Sequence, residues 1–142
     1  MKKLTLITVA AMITSLAFAQ KLQEKDVPIP VKSIFQKQYP NSKEVEWEKE
    51  GENFEAEFEL NKIEQSVLFD AKGNILETEV EIELSQLPKG VLDYVTTSYK
   101  VKSVKEAAKI TDAKGIVTYE AEIKDLDLLF DSNGKFIKEL KD

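Results

Sequence analysis

The chain lacks histidine, cysteine and arginine altogether, and its two methionines fall within the first nineteen residues. Each absence closes off a chemistry. Without cysteine there is no thiolate nucleophile, no disulfide and no soft metal site. Without histidine a serine hydrolase lacks its usual base, and zinc lacks its usual ligands. Only carboxylates, lysines, tyrosines and hydroxyls remain for acid–base work. A glycosidase needs no more than two carboxyl groups at a set separation. Nearly every acid here, however, falls in a regularly alternating segment, with no irregular loop to seat one in an apolar pocket. The expectation is a protein that binds rather than catalyses, with no cofactor.

What is present begins with a leader. Lys2 and Lys3 precede an apolar run from Leu4 to Leu16, and Ala17-Phe18-Ala19 supplies the small-x-small pattern cut by signal peptidase. The run is short for a membrane span, and no second candidate follows. Residues 1–19 are therefore read as a signal peptide and 20–26 as a linker, giving an exported protein, periplasmic or secreted. Beyond the leader 18 lysines face 26 acids, a net charge of −8. An acidic surface repels phosphate backbones and anionic headgroups, so neither nucleic acid nor membrane is an expected partner.

The chain then says one thing twice. Val27-Pro28 matches Leu87-Pro88, and Val31, Ile34, Phe35 and Tyr39 match Val91, Tyr94, Val95 and Tyr99, all at an offset of 60. Phe54-Glu-Ala-Glu-Phe58 matches Tyr119-Glu-Ala-Glu-Ile123 at 65, and Leu68-Phe-Asp-x-x-Gly73 matches Leu129-Phe-Asp-x-x-Gly134 at 61. Offsets that drift by a few residues are what loop insertions between fixed elements produce. Spacings of three and four in the first matching block predict one helix per copy, packed along a single apolar stripe. Pro28 or Pro30 suits the first turn of one helix, Pro40 ends it, and Ser85 is the expected N-cap of the other.

Strands follow each helix. Val45-Glu-Trp47-Glu, Phe54 to Leu60, Gln65 to Asp70 and Leu76 to Leu84 alternate in the first copy, with Gly51 in a turn. Val101 to Thr111, Ile116 to Ile123, Asp127 to Asp131 and Phe136 to Leu140 do so in the second. Apolar-in, polar-out alternation predicts an antiparallel sheet with one covered and one wet face. The fold class is thus α+β: two tandem helix-plus-four-strand repeats forming one long antiparallel sheet, with the helices on one face. Asp followed three residues later by Gly predicts a hairpin turn in each Phe-Asp-x-x-Gly frame. A calcium loop is the functional alternative, but an EF-hand needs alternating ligands over twelve residues and a closing Glu, and Lys72 opposes a cation.

The order of these motifs resembles the PepSY-like periplasmic proteins that share the fold of the beta-lactamase inhibitory protein. Val27-Pro28, Phe35, Tyr39-Pro40, Val45-x-Trp47, the Phe-Glu-Ala-Glu-Phe strand and Phe69-Asp-x-x-Gly73 carry the resemblance, and Leu87-Pro88 opens a second round. The likeness spans roughly residues 27–140, divided as 27–84 and 85–142. The second copy departs at Tyr99-Lys100 and Val104-x-Glu106, which leaves an aromatic core residue without a counterpart. The resemblance implies binding to another periplasmic or secreted protein, and no catalytic residues.

Two features compete for the role of a site. Glu55, Glu57 and Glu59 share one face of a strand, as do Glu77, Glu79 and Glu81, and the helices can cover only the opposite face. These six residues are the expected binding surface, exposed and suited to a basic partner. A calcium-responsive protein, binding Ca2+ through the acidic turns or the Glu-rich face, is the second reading. Trp47, the sole tryptophan, shares the parity of Val45 and is placed in the core.

Overall fold

The structure, a computed structural model, describes residues 20–141; the leader expected at residues 1–19 lies outside the described residues. Strand order follows chain order from first to ninth in an antiparallel sheet. The chain divides into two compact units, one ending at Thr78 and one starting at Glu79. The division falls inside a strand, earlier than the expected boundary after residue 84. Among the described residues no helix is long and apolar enough to cross a membrane.

The first unit opens with β1 (Gln20–Leu22), a short 3-10 turn (Glu24–Asp26) and α1 (Ile29–Gln38). β2 (Lys43–Glu50), β3 (Asn53–Leu60), β4 (Ile63–Phe69) and β5 (Ile75–Ile82) follow. The segment expected as a linker is therefore ordered at its start: Leu22 pairs with Trp47 across the β1–β2 ladder and its side chain packs against the core. Pro28 is the N-cap of α1 and Pro30 lies in its first turn, where a missing N–H costs nothing. The helix buries Val31 and Phe35 against Trp47, Ala56, Phe58, Val67 and Phe69. Phe35 is the hub, edge-on to Trp47 at 5.2 Å and to Phe58 at 5.1 Å. Trp47 is buried, as its parity predicted.

The second unit repeats this plan with α2 (Val91–Tyr99), β6 (Glu106–Asp112), β7 (Val117–Ile123), β8 (Leu126–Asp131) and β9 (Phe136–Lys141). Ser85 is not the helix N-cap. It sits in a separate 3-10 turn closed by reciprocal Glu83 and Gln86 hydrogen bonds, and α2 starts after Gly90, whose φ of 91° turns the chain into it. β6 also begins later than the expected Val101.

Register resolves the missing aromatic. Trp47 pairs with Ala56 in the first unit and Ala107 with Ala121 in the second, so Ala107, not Glu106, is the counterpart of Trp47. The lost volume is supplied from elsewhere. Phe69 has Trp47 as its aromatic neighbour at 6.5 Å, whereas its counterpart Phe130 has Tyr94 at 5.7 Å and Phe136 at 5.8 Å. Those two residues replace Ile34 and Ile75 of the first copy.

Both Phe-Asp-x-x-Gly frames are hairpin turns. The Asp70 carboxylate accepts from the backbone N–H groups of Lys72 and Asn74, and Asp131 accepts from those of Asn133 and Lys135. A third copy of the device, missed in the sequence, joins β6 to β7: Asp112 accepts from Lys114 and Ile116. The first and last turns do more than reverse the chain. A Cβ on Gly73 would lie 2.9 Å from the Pro30 carbonyl oxygen, and one on Gly134 would lie 2.9 Å from that of Lys89. Each turn is pressed against the start of its own unit's helix, which only a glycine permits.

Candidate functional site

The face of the first unit opposite α1 is built by three strands, in continuous register from Glu46 to Glu50 on β2 and from Asn53 to Leu60 on β3. Glu46 and Glu48 flank the buried Trp47 along β2, with Glu50 following, and Glu55, Glu57 and Glu59 alternate with the buried Phe54, Ala56 and Phe58 along β3. The two-residue Gly51-Glu52 turn places Glu48 across from Glu55 and Glu46 across from Glu57. On the other side of β3, Glu55 faces Leu68, Glu57 faces Ser66 and Glu59 faces Glu64. β1 adds one cation, Lys21, whose ammonium group reaches Glu46 at 3.0 Å.

This face is not uniformly wet, and here the sequence expectation needs correcting. Glu57, Glu59 and Glu81 are partly exposed, but Glu55, Glu77 and Glu79 are buried. So are Leu68 and Ser66, without a helix over them. Glu55 shows the reason. It lies on an inner strand, paired with Glu48 on one side and Leu68 on the other. Its exposure is 1%, and its Oε1 makes no hydrogen bond.

Burial pushes the Glu55 carboxyl up to about 9, and the charges of Glu50, Glu57 and Glu48 add to the rise, while the Ser66 hydroxyl opposes it. Glu55 is therefore a neutral carboxylic acid at neutral pH. Ligand oxygens of Glu48, Glu55 and Glu57 lie within 4.8 Å of one another. Of the six predicted surface residues, the structure brings Glu55 and Glu57 together here. It adds Glu48, which the sequence reading omitted, and leaves Glu59 beside Glu64 and Glu77, Glu79 and Glu81 along β5. Counting back from the Gly51 turn would have found Glu48, because that turn alone fixes which residue of β2 meets Glu55.

The second unit lacks this constellation. Glu120 holds the place of Glu55 but faces Ala108 where Glu55 faces Glu48. Glu122 holds the place of Glu57, and Lys105 neutralises it at 3.3 Å. Each turn aspartate commits its Oδ1 to two N–H groups of its own turn, and Asp70 also commits Oδ2 to the Asn74 side chain. Hydrogen bonds from the Asn74 side chain and backbone hold Asp70 below the usual carboxylate range.

No curated protein matches the chain. Among solved structures, a BLIP-like protein from Bacteroides fragilis is 26% identical, with a TM-score of 0.58, covering 79% of this chain and 84% of that one. A Bacteroides eggerthii protein described as periplasmic shares the fold at 16% identity, with a TM-score of 0.68 and coverage of 81% and 88%. A DUF2874 family protein from Bacteroides uniformis does so at 20% identity, with a TM-score of 0.64 and coverage of 80% and 88%. The model of the beta-lactamase-inhibitor-like, PepSY-like family matches twice, over residues 16–77 and 59–138. With nearly all of its described residues inside those two matches, and with two helix-plus-sheet units to account for them, the chain belongs to the PepSY-like family and has a BLIP-like fold.

Proposed function

We propose that this chain is an exported, non-enzymatic binding module that holds a basic protein partner against the helix-free face of its first unit. The observation that carries the reading is the acidic margin of that face, where Glu46, Glu59 and Glu64 remain partly exposed. Such a margin steers a cationic partner and accelerates its approach, over a range that salt shortens to about 8 Å near physiological ionic strength. The family's inhibitor-like designation makes secreted enzymes the first partners to try, and the likeness to a periplasmic protein supports export.

The opposite surface offers the competing choice, a shallow groove between α1 and the β1–β2 edge lined by Lys32, Phe35, Gln36, Val45 and Trp47. The test uses a panel of purified secreted hydrolases, β-lactamases included, assayed for inhibition and for binding on a biosensor. Glu59→Lys and Glu64→Lys together are expected to slow association of a captured hydrolase by roughly tenfold at low salt, with little change in dissociation. Lys32→Glu, Gln36→Glu and Lys37→Glu together should leave it unchanged. Loss of binding in the helix variant alone places the interface on the groove, and a panel without any binder removes the inhibitor reading.

A further inference from the structure

We infer that the first unit holds a divalent cation of calcium size between Glu48, Glu55 and Glu57, a site independent of any protein partner. Three carboxylate oxygens within 4.8 Å of one another can converge on an ion at about 2.3–2.6 Å, the range for calcium and oxygen. Acidic clusters are common on surfaces, but this one encloses a side chain that surfaces do not have. Glu55 is 1% exposed, and its Oε1 has no hydrogen-bond partner. A buried, unsatisfied carboxyl oxygen costs more than a typical hydrogen bond contributes, and a coordinated cation removes that cost by replacing the Glu55 proton, which is released to solvent.

The register strengthens the inference. Glu48 lies directly across from Glu55, so the charge that Glu55 takes on when it gives up its proton stands beside a second carboxylate unless a counter-charge intervenes. Lys21 is the near cation, and its ammonium group bonds Glu46 instead. The second unit handles the same positions differently, with alanine at 108 in place of Glu48 and Lys105 bound to Glu122. There the counter-charge is built into the chain. In the first unit three acids converge, and the ammonium group of Lys21, though its field reaches Glu48 and Glu57, is bonded to Glu46. The ligand set is all oxygen, which selects hard cations. Calcium is favoured over magnesium because carboxylates from two adjacent strands do not supply a regular octahedron, and calcium tolerates irregular shells completed by water. Glu48 and Glu57 are partly exposed and leave room for that water.

Isothermal titration of calcium into the full mature chain, stripped with a chelator, tests this directly. One calcium per chain is expected, with an affinity in the range of extracellular calcium modules and at least tenfold weaker binding of magnesium. Terbium gives a second readout, because Trp47 lies between Glu46 and Glu48 in β2 and should sensitise its luminescence. Glu55→Gln keeps the shape and neutrality of the buried acid, so the fold survives and its melting midpoint confirms this. That variant should bind calcium at least tenfold more weakly and lose the terbium signal, whereas Asp93→Asn on α2 should change neither. Absence of a calcium isotherm for the wild-type chain overturns the site. So does wild-type affinity in Glu55→Gln, which would move the ion elsewhere, and equal affinity for magnesium overturns the assignment to calcium.

Discussion

Two turns of this protein have the same four residues and the same backbone hydrogen bonds but different surroundings, and they allow one structural claim to be isolated. Asp70-Ala-Lys-Gly73 and Asp112-Ala-Lys-Gly115 each close with a glycine at positive φ, 88° and 79°. Replacing either glycine by alanine forces a Cβ into the left-handed region, at about 1–2 kcal/mol. At Gly115 that is the whole cost, since a Cβ there meets nothing within 4 Å. At Gly73 the new methyl group would lie 2.9 Å from the Pro30 carbonyl oxygen and 3.3 Å from Ile34 Cγ1. Backbone cannot swing aside as a side chain can, so either the helix start or the turn must shift, at a further ~1–3 kcal/mol by analogy with overpacked cores. Gly73→Ala should therefore melt below Gly115→Ala, by about 3–6 °C for each kcal/mol of that difference in a chain of this size. Thermal unfolding followed by circular dichroism at one scan rate suffices. Equal midpoints for the two variants would refute the claim that the Phe-Asp-x-x-Gly frame clamps the helix start.

Two further outcomes follow from the cores and from the buried acid. With its carboxyl raised to about 9 when folded and about 4.3 when unfolded, Glu55 keeps its proton in the native state across a window where the unfolded chain has lost it. Stability thus falls as pH rises between those values, by up to about 1.4 kcal/mol per pH unit. In chelator, denaturant titrations should show Glu55→Gln gaining on wild type as pH rises, and a difference that is flat with pH would contradict the burial-driven shift. Glu50, Glu57 and Glu48 widen that window, because each carboxylate beside Glu55 favours its neutral form. In the second case, Trp47→Ala should lose ~3–5 kcal/mol through the cavity left beside Phe35 and Phe69, while Ala107→Trp should lose ~1–3 kcal/mol by overpacking. Chemical denaturation measures both, and tolerance of Ala107→Trp would mean that Tyr94 and Phe136 do not fill the space.

The architecture was legible because it rests on period and punctuation. Apolar spacing gave both helices, alternation gave the strands, and the Asp-x-x-Gly frames gave the turns. The extra strand β1 escaped notice because three residues carry no period, and only tertiary pairing with β2 orders them. The start of α2 was misplaced because Ser85 has capping chemistry, yet a glycine five residues later has the backbone conformation that the helix entry uses. The candidate site was half legible. Alternation put Glu55 and Glu57 on one face, but burial depends on which residues stand alongside on neighbouring strands. A pattern confined to one strand treats Glu55 and Glu59 as equals, and the sheet does not.

Tandem copies of one fold face a hazard of their own, since a strand can dock into the wrong half during folding. The unequal filling around Phe69 and Phe130 works against that exchange. If the β6 segment settled beside Phe69, a methyl group would stand where an indole belongs and a void would open. If the β2 segment settled beside Phe130, its indole would compete with Tyr94 and Phe136 for one volume. Each half thus rejects the other's strand, by a hole in one case and by a collision in the other. A chain duplicated in pattern has in this way become unambiguous in assembly.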